Sequence, residues 1–175
     1  RVPSLTLYHA GMVKPFITHV LGGDSTVKPW LSLIPSSQVL PKSSLSHMVS
    51  ELAVKLAAPR SLWAISGSGL DAQAAWSWLD EAQKRTDPVV LLATSFSLIN
   101  LLDAQTERSV RLPMGSTMML TGGFKGRSRT LSAREIVETV STRLGLEQED
   151  IIPEYGMTEL TSQAYGNPFK APPWL

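Results

Sequence analysis

Residues Ser116–Gly156 read STMMLTGGFKGRSRTLSAREIVETVSTRLGLEQEDIIPEYG. The apolar run Ser116 to Leu120 has the length and bounds of a buried strand, and it enters a double glycine, Gly122-Gly123. Ser132, with Glu135 three residues on, forms a capping box and starts a helix. Ile136, Val137, Val140 and Leu144 repeat at helical spacing along its inner face, and Gly145 closes it. Ile151 to Glu154 reads as a final strand, followed by Tyr155 and Gly156. Strand, helix and strand in this order make a right-handed βαβ unit with parallel strands. In open parallel sheets, ligands bind beyond the carboxyl ends of the strands. Both glycine-bearing segments follow a strand directly, so both belong at that rim.

The alternation continues upstream. Tyr8 to Leu21 places Met12, Val13, Phe16, Ile17 and Val20 on one helical face, with Pro15 as its start or a kink and Gly22-Gly23 as its end. Trp30 to Ile34 reads as a short strand stopped by Pro35, and 36–43 as a polar loop. Leu45, Met48, Val49, Leu52 and Leu56 mark a helix capped by Ser43 or Ser44, with Pro59 as the stop. Leu62 to Ile65 reads as a buried strand, Asp71 to Lys84 as a helix bearing Trp76, Trp78 and Leu79, Val89 to Ala93 as a strand, and Phe96 to Leu102 as a short helix. No internal repeat is visible. The fold class is therefore α/β, a mainly parallel sheet flanked by helices.

The segment Glu154-Tyr155-Gly156-Met157-Thr158-Glu159-Leu160 concentrates chemistry. Its glycine permits close backbone approach to a ligand. The Thr158 hydroxyl can bond a phosphate oxygen, the Glu159 carboxylate can hold Mg²⁺, and the Tyr155 ring can stack on a base. Taken alone, the segment also suits a strand end, a turn and a helix start with Thr158 as N-cap. The upstream segment Met118 to Arg129 adds two glycines and the cations Lys125, Arg127 and Arg129, which suit an anionic ligand or a solvated turn.

Together and in this order, Thr-Gly-Gly-Phe-Lys-Gly-Arg-Ser-Arg (121–129) and Glu-Tyr-Gly-Met-Thr-Glu-Leu-Thr-Ser-Gln-Ala-Tyr-Gly (154–166) resemble the adenylate-forming enzyme superfamily. Within it they resemble the LuxE-type acyl-protein synthetases, or long-chain-fatty-acid–luciferin-component ligases. Residues 41–48 and 89–96 are similar to that family as well, and the resemblance is densest from Val89 to Gly166. It implies that the chain is one α/β domain spanning residues 1–175, part of the large N-terminal domain of a longer adenylate-forming polypeptide. The implied reaction joins a fatty or other carboxylic acid to ATP, giving acyl-adenylate and pyrophosphate, and then passes the acyl group to a protein thiol. The implied roles are Tyr155 against adenine, Gly156 and Met157 beside the nucleotide, Thr158 on the α-phosphate, and Glu159 on Mg²⁺. Gly122 and Gly123 would form a wall of the nucleotide site, with Lys125 as a nearby cation. Implied partners are an acyl reductase or an acyl-carrier protein.

Departures from that pattern matter. Ser66-Gly67-Ser68-Gly69 has the composition of a phosphate loop but no following Lys, and reads as a turn and helix entry. The superfamily's phosphate loop is expected upstream of these motifs. Its ribose-binding Asp and its C-terminal domain with the catalytic Lys are expected beyond Leu175. The chain has no cysteine, so the acyl acceptor lies elsewhere, and this piece alone is expected not to adenylate an acid. A docking module that keeps the scaffold without the chemistry is the second reading.

Composition excludes other classes. The 175 residues carry a net charge of +1, without the basic bias of a nucleic-acid surface. Without cysteine there is neither a disulfide framework nor a thiolate metal site. The longest apolar stretch, Val89 to Leu102, is too short and too interrupted to span a bilayer. No signal peptide is visible, which makes the expected compartment cytoplasmic. His9, His19 and His47 are scattered. There is no Gly-x-Ser-x-Gly elbow and no Walker-type lysine loop. Trp63, Trp76 and Trp78 suit a core better than an acyl pocket.

Overall fold

The computed structural model describes residues 5–122, 132–157 and 162–166. Its elements are α1 (Leu5–His19), β1 (Trp30–Leu33), α2 (Ser44–Leu56), β2 (Leu62–Trp63), β3 (Ile65–Ser66), β4 (Gly69–Leu70), α3 (Ala72–Ala82), β5 (Val90–Thr94), α4 (Ser95–Asp103), β6 (Thr117–Thr121), α5 (Ala133–Leu144), a 3₁₀ turn (Gln148–Asp150), β7 (Ile151–Met157) and β8 (Ser162–Tyr165). Six strands form one sheet in the order β2-β1-β5-β6-β7-β8. Every neighbouring pair is parallel except β7 and β8, which are antiparallel.

The winding follows from crossover handedness. From β1 the chain passes through α2 to β2 on one side, then returns through α3 to β5 on the other side of β1. Right-handed crossovers in opposite directions place their helices on opposite faces of the sheet. Accordingly α1 and α2 pack Met12, Phe16, Val20, Met48 and Leu52 against Trp30, Leu92, Met119 and Ile152. On the other face α3, α4 and α5 pack Trp76, Leu79, Leu101, Ile136 and Val140 against Leu31, Leu91, Met118 and Ile151. Adjacent strand residues thus supply two separate cores, which is why the central strands read as unbroken apolar runs.

Local signals set the helix ends. The Ser43 hydroxyl accepts from the Ser46 amide at 3.1 Å and starts α2. Thr94 with Ser97, and Ser132 with Glu135, form complete capping boxes on α4 and α5. Gly145 ends α5 in the left-handed region at φ 68°, as a C′ glycine does.

Of the two places open to Pro15, it takes the one inside α1. Three expectations are corrected. Leu62 to Ile65 is not one buried strand: β2 is a half-buried edge of two residues, and Ile65 turns away into the β3–β4 hairpin. The last strand does not stop at Glu154, since β7 runs on to Met157. A further strand, β8, follows it where a helix start was the alternative. Antiparallel pairing from Met157↔Ser162 to Glu154↔Tyr165 makes this segment a hairpin. Pro153 is tolerated at the open end of the hairpin: its carbonyl accepts from the Gly166 amide at 3.0 Å, and its missing N–H faces the same side, so only the reciprocal bond to Gly166 is lost and the parallel ladder with β6 is untouched.

Candidate functional site

The carboxyl rim of the sheet carries a polar row immediately above the apolar one. Leu92, Met119 and Ile152 are register neighbours across β5, β6 and β7. Two residues further on, Thr94, Thr121, Glu154 and Tyr165 stand in register across β5, β6, β7 and β8. Side chains two apart share a face, so this row caps the core packed by α1 and α2.

Glu154 dominates the row. It is 6% exposed, and its register partner on β6 is Thr121. Burial pushes its carboxyl above the ordinary value, and the Thr121 hydroxyl opposes that shift only in part. A charged group in such a place is costly unless satisfied. The carboxylate folds over its own strand: a β-carbon on Gly156 would lie 2.8 Å from Glu154 Oε1. Gly156 is not in the left-handed region; a side chain there would have to displace the Glu154 carboxylate. Across the hairpin, Gln163 pairs with Gly156, and its buried Oε1 has no hydrogen-bond donor among the described residues.

The opposite face of the same rim is open. Tyr155 is 59% exposed and Phe96, in the first turn of α4, is 57% exposed. Thr121↔Glu154 is the last pair of the β6–β7 ladder; Gly122 follows the first of these residues and Tyr155 the second. Gly122 adopts φ 92°, where a side chain is strained although nothing lies within 4 Å of a β-carbon there. The Ser95 hydroxyl donates to the Gly122 carbonyl at 3.2 Å and ties α4 to the end of β6. The α4 N-terminus therefore opens onto the same rim, about 10 Å from β7 at two strand spacings.

The strands that lead into the two glycine-bearing segments, β6 and β7, are parallel neighbours, so their carboxyl ends share one rim. Of the residues singled out there, Gly122, Tyr155, Gly156 and Met157 belong to this arrangement, with Met157 ending β7. Gly123, Lys125, Thr158 and Glu159 lie outside the described residues. Ser66 to Gly69 forms the tip of the β3–β4 hairpin, with its Ser66 and Ser68 hydroxyls 2.8 Å apart, and Asp71 then caps α3. Residues 41–44 complete the loop after β1 and the cap of α2. Trp76 is fully buried and donates to the Leu101 carbonyl at 3.1 Å, so it is core rather than pocket wall.

No family model, curated protein or solved structure matches the chain. Among the described residues, no three His, Cys, Asp or Glu side chains converge as metal ligands, and no helix is long and apolar enough to cross a membrane.

Sequence reasoning passed over Glu154 itself. The signal was present, because in Ile152-Pro153-Glu154 alternate residues share the buried face and the carboxylate continues the row of Ile152. It also passed over Thr94 and Ser95, whose hydroxyls organise the neighbouring strand end. A surface groove of about 540 Å³ runs along α5 beside Arg134, Glu138, Ser141, Thr142 and Glu147. Its polar lining is exposed or half-exposed, and nothing in it fixes a ligand.

Proposed function

We propose that the chain is the acid-activating part of a LuxE-type acyl-protein synthetase, and that its nucleotide lies on the carboxyl rim between the ends of β6 and β7. One observation carries this reading. Gly122 and Tyr155 each directly follow the last paired residues of β6 and β7, Thr121 and Glu154, the first with a left-handed backbone and the second with an exposed ring.

The chemistry needs those features. A carboxylate oxygen attacks the α-phosphorus of ATP, the bond to the bridging oxygen of the β-phosphate breaks, and pyrophosphate leaves. Two anions meet, so catalysis depends on placement and charge neutralisation more than on an acid–base pair. The Tyr155 ring offers a stacking face to the base. Gly122, followed in sequence by Gly123, lets ligand approach the backbone where a side chain would intrude. Thr158 directly follows β7 and is assigned to the α-phosphate. Glu159 is assigned to Mg²⁺, whose charge would offset that of the phosphates; Lys125 is a further cation. Glu154, the carboxylate of the described rim, is buried and turned onto Gly156, which does not suit a hydrated cation. Fatty acids are the proposed substrate class. The thiol that displaces AMP comes from another segment or another protein, because this chain has no cysteine.

Acid-dependent exchange of labelled pyrophosphate into ATP tests the reading. Exchange by the intact polypeptide that is lost in Glu159→Ala supports it. Retention of ATP-independent partner binding without any exchange favours the docking module instead.

A further inference from the structure

We propose that Glu154 is a positioning residue whose carboxylate, enclosed between Thr121 and the α-carbon of Gly156, locks β7 to the end of β6 at their last paired residues. It thereby sets the spacing of Gly122 and Tyr155 across the rim.

Three separate observations converge on it. Glu154 is nine-tenths buried at a place where the core has just ended. Its register partner is Thr121, whose hydroxyl favours the charged carboxylate against burial, and Gly122 follows Thr121 directly. Its Oε1 occupies the volume that a side chain at position 156 would need. The parallel ladder fixes backbone register but leaves the last residues of each strand free to fray. A buried side-chain bridge between the terminal pair removes that freedom. The device needs all three residues: an acceptor on β7, a donor on β6, and a glycine two positions past the acceptor. Tyr155, the next residue along β7, points to the opposite face from Glu154, so Glu154 acts through the backbone it holds and not on a ligand.

The functional half of the test rests on the nucleotide reading above. Four variants of the intact chain are compared: Glu154→Ala, Glu154→Gln, Gly156→Ala, and the double variant Glu154→Ala/Gly156→Ala. ATP affinity is measured by titration calorimetry with Mg²⁺ present, and unfolding midpoints are measured in parallel. Glu154→Ala and Gly156→Ala each weaken ATP binding by about tenfold, the first by removing the bridge and the second by displacing it. The double variant is no worse than Glu154→Ala alone, because the displaced group is already gone. Glu154→Gln, whose amide oxygen still accepts from Thr121, binds within about twofold of the native chain. Additive losses in the double variant would overturn the proposal, as would a Gln variant as weak as the Ala variant, since charge rather than position would then be the requirement. If the native chain binds no ATP, the nucleotide reading fails by itself. The same non-additive pattern is then required of the unfolding midpoints, and additivity there overturns the bridge.

Discussion

Glu154 and Gly156 are two residues apart on one strand, and the carboxylate of the first fills the space where the second has no side chain. The glycine in Tyr-Gly-Met-Thr-Glu therefore has an internal reason to be there. On the neighbouring strand Gly122 has a different one, a φ of 92°.

That difference is measurable. Gly122→Ala costs roughly 1–2 kcal/mol of unfolding free energy from the left-handed backbone alone, because no atom opposes the new methyl. Gly145→Ala costs more. Its φ is 68°, and a β-carbon there also meets the Arg111 α-carbon at 3.1 Å. Urea denaturation of the two variants ranks them; equal losses would contradict the steric difference.

The buried carboxyl gives the chain a pH signature. Burial raises the folded-state value of Glu154 above its ordinary 4.5. Between those two values the unfolded chain binds fewer protons than the folded one, so stability falls as pH rises through the window. The contribution is fully present below 4.5 and is lost above the raised value. Asp150 shifts the same way through burial, while exposed Asp24 shifts down to about 2 through Lys28 and acts only at lower pH. Glu154→Gln removes one part of the slope and leaves the others. The stability of the Gln variant relative to the native chain therefore increases as pH rises from 4.5. A pH-independent difference would show that Glu154 is not buried as described.

At the next strand end, Thr94 caps α4 by accepting from the Ser97 amide at 3.0 Å. Thr94→Ala costs about 1 kcal/mol and Thr94→Ser much less, measured by thermal or chemical unfolding. Identical behaviour of the two variants would place the cap elsewhere.

Tyr155 separates function from folding. Its ring is exposed, so Tyr155→Ala leaves the unfolding midpoint nearly unchanged. Loss of base stacking weakens ATP binding by roughly 1–3 kcal/mol. A variant that binds ATP normally would remove Tyr155 from the site.

Much of the fold was legible because each parallel strand carries an apolar run and each helix a repeating apolar face. Met48, Val49, Leu52 and Leu56 lie where helical spacing puts them, and Ser132 with Glu135 starts α5 as a capping box should. β8 was not legible. Ser162-Gln163-Ala164-Tyr165 has no β-branched residue and becomes a strand only through pairing with β7 and the stacking of Tyr165 on His19 of α1, at 5.6 Å between ring centroids. Leu62 and Ile65 looked like one buried strand because hydrophobicity alone does not distinguish an edge from a centre. At the site, the glycines marked the rim, but the bridge stayed hidden. It depends on the register of Glu154 against Thr121, which is a property of the sheet and not of either segment.

The most direct measurement is acid-dependent pyrophosphate–ATP exchange by the intact polypeptide, run across fatty acids of several lengths and repeated with Glu159→Ala and Thr158→Val. Activation at this rim requires exchange that depends on the acid and falls by on the order of a hundredfold or more in each variant. Exchange that is absent from the native polypeptide, or undiminished in both variants, would contradict it.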